Sequence, residues 1–162
     1  MGERVSKGEN RDCGSGDGGI VWRKHFLDGG RMITAYATKE PFDHLELYRG
    51  FLERETAISG TVVLHHGRVK RPGKQMADFA SVELRPLVSD VDNRLADLAE
   101  LAKKKFELNQ VLIVHRLGII GACDSVLLAI VSGKTRDRCF AACSWIVDEI
   151  KREEFIQLIE HP

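Results

Sequence analysis

An excess of charge of either sign is missing from this sequence: 24 Lys and Arg balance 24 Asp and Glu across 162 residues. No global field therefore draws the chain to nucleic acid or to an anionic lipid surface, and any affinity for an anion must come from a local cluster. Long apolar runs are missing too. The longest, Val126 to Val131, falls far short of the ~20 residues that cross a bilayer, and the N-terminus has no apolar signal region. The expectation is a cytoplasmic chain with neither a membrane nor a nucleic-acid partner. Cysteine is scarce, with four residues. Only Cys139 and Cys143 lie close together, on one predicted helix, where a four-residue spacing does not suit a disulfide. They read as buried thiols, and no His or Cys stands at ligand spacing beside them, so no metal site is expected.

What is present has the length of one domain. Residues 1–31 are glycine-rich (Gly14 to Gly19, then Gly29 and Gly30) with little periodic apolar content, and read as a flexible N-terminal extension. The domain is expected over 32–162, opening with an alternating strand at Met32 to Ala37. Phe42, Leu45, Tyr48, Phe51 and Leu52 recur at helical spacing and predict a helix over 43–55. Ile58 to Val69 and Met76 to Leu84 are β-rich and separated by Pro72-Gly73, which predicts a hairpin with a basic tip.

Leu87, Val91, Leu95, Leu98, Leu101 and Ala102 predict a helix over 90–105, with Ser89 and Asp92 as its capping box. Val111 to Val114 and Ser125 to Val131 are short enough for buried strands, with Gly118 and Gly121 marking a turn between them. A last helix over 137–150 would bury Phe140, Cys143, Val147 and Ile150. Helix, two strands, helix, two strands, helix is an α+β layout rather than a doubly wound one.

Four basic clusters carry the candidate chemistry. Arg68, Lys70, Arg71 and Lys74 surround the predicted turn, where charge-assisted hydrogen bonds can hold a phosphate; a solvated tip is the bland alternative. His115 and Arg116 leave a buried strand, and such a histidine is either structural or ligand-orienting. Ser132 to Arg136 lead from a strand into a helix, whose N-terminal N–H groups favour an anion. A phosphate-binding loop is excluded there, because its upstream glycine would fall on Leu128. Lys151 and Arg152 end the last helix, and a lysine among other cations can serve as a general base or nucleophile. The tandem His65-His66 alternates faces on a strand, so only one of the pair can face any one site.

Val114-His115-Arg116-Leu117-Gly118, then Asp124-Ser125-Val126, Ser132 through Arg136, Phe140-Ala141-Ala142 and a helix ending at Lys151 resemble the MoaE family in order and spacing. Gly67-Arg68-Val69-Lys70 resembles that family's earlier Gly-Lys-Val-Arg element. The resemblance implies an α/β hammerhead, an antiparallel or mixed sheet with packed helices. It also implies a sulfurtransferase, the catalytic subunit of molybdopterin synthase. Such an enzyme is a homodimer that binds cyclic pyranopterin monophosphate. It forms a heterotetramer with a small ubiquitin-like subunit of the MoaD type, whose C-terminal Gly-Gly carries a thiocarboxylate, and it needs no cofactor. Carried over by position, Lys151 is the catalytic lysine, while Arg68, Lys70, Arg71, His115, Arg116, Arg136 and Glu160 surround the substrate. Thr135 stands where the family has histidine, and Leu158 where it has a second lysine. Loss of a cation removes stabilisation of developing negative charge, so the alternative is an impaired relative acting as a binding, scaffold or regulatory subunit.

Overall fold

The computed structural model describes His25–Asp28 and Arg31–Pro162, with side chains from Ile33 onward. Residues 1–24, most of the expected extension, and Cys13 lie outside the described residues. Strands β1 (His25–Asp28), β2 (Arg31–Thr38), β3 (Thr61–Arg68), β5 (Leu108–Arg116) and β7 (Ser125–Gly133) form one sheet in the order β1-β2-β5-β7-β3. In it β2 and β5 run parallel and every other neighbour is antiparallel. A second sheet, β6-β4-β8, contains β4 (Ser81–Pro86), β6 (Gly118–Gly121) and β8 (Ile156–His161). Helices α2 (Val91–Phe106) and α3 (Arg136–Lys151) cover one face of the larger sheet, and α1 (His44–Leu52) packs under the other. The mixed sheet with packed helices agrees with the α+β expectation.

Burial on both faces explains the unbroken apolar runs of the two central strands. Along β5, Val111 and Ile113 enter the main core with α2 and α3, whereas Leu112 and Val114 pack with Leu47 and Phe51 of α1. Along β7, Ala129 and Val131 take the first side and Leu128 and Ile130 the second.

The predicted hairpin does not form. β3 pairs with β7, Val63 opposite Val131, while β4 pairs with β6 and β8. Pro72-Gly73 does turn the chain, with Gly73 N–H donating to Met76 O at 3.0 Å, but the segment 69–80 that holds it crosses from one sheet to the other. Periodicity reports the strands and is silent on their partners. Gly118 and Gly121 bound strand β6 rather than forming one turn, and the chain reverses at Cys123, φ 71°.

Three helix details also differ from expectation. The buried stripe of α1 is Leu47 and Phe51, with Leu45 61% exposed. The N-cap of α2 is Asp90 rather than Ser89, without a side-chain bond, and Asp92 Oδ1 accepts from Ala37 N–H at 2.8 Å, which ties α2 to β2. On α3, Phe140 is 63% exposed, and Cys139, Ala142 and Ile146 take the inner face with Cys143, Val147 and Ile150. The two α3 thiols are free and buried. Burial pushes Cys143 up to about 11. No helix among the described residues is long and apolar enough to cross a membrane.

Candidate active site

The two sheets meet at the C-terminal end of α3, and between them lies a cavity of about 260 Å³. Apolar walls come from Val69, Phe79, Val82, Leu84, Ile156 and Leu158, and the polar lining includes His65, Lys70, Lys74, His115, Lys151 and Glu160. A largely apolar concavity with a few convergent polar groups is the general form of a small-molecule site. Strand alternation delivers the histidines. His65 on β3 and His115 on β5 both face the α3 side of the sheet, where Gly67 and His115 flank Leu127 of β7.

His115 is buried, and its Nδ1–H donates to Arg116 O at 2.7 Å. That bond fixes the tautomer and leaves Nε2 as the acceptor. Burial drives its pKa down to about 4 against the opposing effect of this hydrogen bond, so the ring is neutral near pH 7. His65 is held below its ordinary value by burial first and by the nearby Lys151 charge second.

Glu160 spends its carboxylate on the chain rather than on open space. It accepts from the N–H groups of Lys74 (2.6 Å), Gln75 (2.8 Å) and Met76 (2.5 Å). Burial raises its pKa, but these three donors and the Lys70 charge outweigh that effect and hold it below the usual carboxylate range. Its function is to clamp the loop that carries Lys70 and Lys74 against β8.

Four of the eight positions singled out from sequence therefore share one cavity: Lys70, His115, Lys151 and Glu160. The others do not line it. Arg68 Nε donates to Cys123 O at 2.8 Å, and the Arg71 guanidinium lies over the Phe79 ring, 5.2 Å from its centroid. Arg116 is buried one residue beyond His115, so alternation turns it to the α1 side, where its Nε has no hydrogen-bond partner. Arg136 opens α3, with its side chain 81% exposed and 3.6 Å from Asp137. Since α3 is 16 residues long, Arg136 stands about 22 Å from Lys151. The expected anion site at the start of α3 is altered further by Ser132, which is buried and donates to Glu55 Oε1 at 2.6 Å.

Lys74, part of the basic cluster read around the predicted turn, also lines the cavity, and so does His65, which was not assigned to a site from sequence. Alternation was the available signal for His65. His66, its neighbour, turns to the other face, stacks on His44 with centroids 4.2 Å apart and lies 2.7 Å from Ser125 Oγ. Among the described residues no cluster of His, Cys, Asp and Glu is arranged to hold a metal ion.

Comparison with known proteins places the fold in a family. A molybdopterin synthase catalytic subunit from Thermoplasma volcanium is 36% identical over 58 residues, which covers 36% of this chain and 42% of that protein. One from Vibrio cholerae is 27% identical over 114 residues, 70% of this chain and 73% of that one. Among solved structures, molybdopterin synthase from Staphylococcus aureus superposes with a TM-score of 0.67 at 24% identity, covering 78% of this chain and 89% of that one. A complex of subunits 1 and 2 of molybdopterin-converting factor from Helicobacter pylori gives 0.61 at 17% identity, covering 76% and 82%. The family model for MoaE protein matches residues 37–153, a span that holds all three helices and Lys151, and the chain belongs to the MoaE family.

Proposed function

We propose that this MoaE-family chain is the catalytic subunit of a molybdopterin synthase. It transfers sulfur from the C-terminal thiocarboxylate of a small ubiquitin-like subunit to cyclic pyranopterin monophosphate. The observation that carries the reading is the convergence of Lys151 and Lys70 on one largely apolar cavity beside two histidines. A water-poor wall strengthens each charge inside it, and two ammonium groups suit a phosphate-bearing substrate and a thiocarboxylate. In this reading Lys151 meets the reacting atoms, Lys70 holds the phosphate and His115 accepts a hydrogen bond through Nε2. Glu160 keeps Lys70 in place through the loop.

Arg136 enters the reading only through a second copy. Helical geometry sets Arg136, Phe140, Ser144 and Lys151 on one stripe of α3, and Phe140 in its middle is 63% exposed. Two such helices packed antiparallel about a two-fold axis cover both Phe140 rings and bring each Arg136 to the other copy's Lys151. That homodimer, with one small subunit per copy, is the proposed assembly.

The experiment is reconstitution. The full chain, a thiocarboxylated small subunit and cyclic pyranopterin monophosphate are mixed and the dithiolene product is measured. Product from the wild-type chain, formed about 10²- to 10³-fold more slowly by Lys151→Ala, supports the reading; a small subunit that binds without any product excludes it.

A further inference from the structure

Sulfur that moves from a thiocarboxylate to carbon first becomes a thioester, and the acyl group of the tail must then be taken by water. A proton has to leave that water as it attacks, so the cavity needs an acceptor. We infer that His65 is that acceptor, its imidazole set beside the Lys151 ammonium in the cavity, an inference that rests on the sulfur-transfer reading above.

The position is built for a ring. β3 turns His65 into the cavity and His66 out of it. Gly67, two residues on and on the same face, leaves the space that the ring occupies: a Cβ at Gly67 would stand 3.1 Å from His65 Nε2. The ring is half-buried, so the substrate side reaches it while bulk water is restricted.

Ionisable groups sharing the cavity are Lys151 and Glu153 at the end of α3, His115 from β5, Lys70 and Lys74 from the crossing loop, and Glu160 from β8. From α3 the Cys143 thiol also packs against the His65 backbone. Glu160 is occupied by three N–H donors, and His115 is driven down to about 4, which leaves it a poor acceptor. His65, shifted less and in the same direction, is neutral near pH 7 and able to take a proton.

In the step itself, water oxygen bonds to the thioester carbon and loses one proton to His65. The carbon–sulfur bond breaks with its electron pair going to sulfur, which stays on the pterin as thiolate. The tail departs as a carboxylic acid that ionises to solvent, and His65 returns its proton to the thiolate or to water. No oxidant or reductant is required. Lys151 stabilises the oxyanion that forms on the thioester carbonyl.

The test follows the appearance of carboxylate-terminated small subunit by mass spectrometry between about pH 5 and 8, for the wild-type chain, His65→Gln and His65→Phe. The expected wild-type profile has an acid limb with its midpoint below 6.5. Both variants lose that limb and run about 10²-fold slower; a variant that keeps the limb and the rate overturns the inference. NMR titration of the His65 ring in the wild type and in Lys151→Met supplies an arm that needs no turnover. Its midpoint rises in Lys151→Met if the two groups are paired, and an unchanged midpoint overturns the pairing. Absence of product from the wild-type chain defeats the sulfur-transfer reading instead, and the titration still reports on His65 and Lys151.

Discussion

Gly73 lies against the carboxylate of Glu160 so closely that a Cβ on it would stand 2.4 to 2.5 Å from the carboxylate atoms. Those atoms are held by three backbone donors and cannot swing aside without losing them. Gly73→Ala is therefore expected to lower the thermal midpoint by about 5 °C and to weaken anion binding by loosening Lys70. Differential scanning calorimetry and titration with inorganic phosphate check the two effects. A variant with unchanged midpoint and binding refutes the clamp.

His115 makes stability depend on pH. Its folded pKa of about 4 lies below the unfolded value near 6.5, so the unfolded state binds the extra proton between those limits. Stability is fully present above pH 6.5, declines as pH falls through that window and levels off below about 4, a loss of about 3 kcal/mol. Urea unfolding across this range, compared with His115→Asn, isolates the contribution: the variant's stability curve is flatter over the window.

Lys151→Ala is expected to lower dithiolene formation by about 10²- to 10³-fold, the scale of removing one group that stabilises transition-state charge. Arg152→Ala is the control, because Arg152 is exposed and paired with Glu149 at 3.0 Å. An equal loss in both variants removes Lys151 from the mechanism.

Leu158 forms part of the cavity wall where the MoaE resemblance has a second lysine. Leu158→Lys adds a cation facing the same space and is expected to raise turnover about tenfold. A fall in rate with the fold intact, read by circular dichroism, shows that this cavity works through its apolar wall instead.

Mixing two inactive proteins tests the second-copy reading of Arg136. Coexpressed Lys151→Ala and Arg136→Ala chains form heterodimers in which one of the two sites has both residues. Activity recovered in the mixture to about a quarter of wild type, set by the share of heterodimers and one intact site in each, supports the antiparallel α3 pair; none recovered refutes it.

Helices and central strands were legible in the sequence because each carries its own period: α2 through Val91, Leu95, Leu98 and Ala102, β5 and β7 through runs buried on both faces. Pairing was not legible. Nothing in Met76 to Leu84 says that Val82 faces Glu160 across β4 and β8 and not a residue of β3, since such contacts depend on chain segments far apart in sequence. The site was half legible for the same reason. Lys151, Lys70, His115 and Glu160 meet because both sheets do, whereas one residue's alternation turns Arg116 away from the cavity and the length of a helix sets Arg136 apart from it within one chain. His65 carried a readable signal, its parity with Val63, and needed only the knowledge of which face held the cavity.

β8 supplies the last wall of the cavity and the anchor of the crossing loop, and it follows every other element in the chain. A ribosome delivers it after both helices and the larger sheet have been made. Phe155 and Ile156 belong to the main core, so core and site are closed together, when β8 pairs with β4 and Glu160 reaches the N–H groups of Lys74, Gln75 and Met76. A chain stalled short of β8 would carry Lys151, Lys70 and both histidines but lack the wall and the clamp that hold them around one cavity.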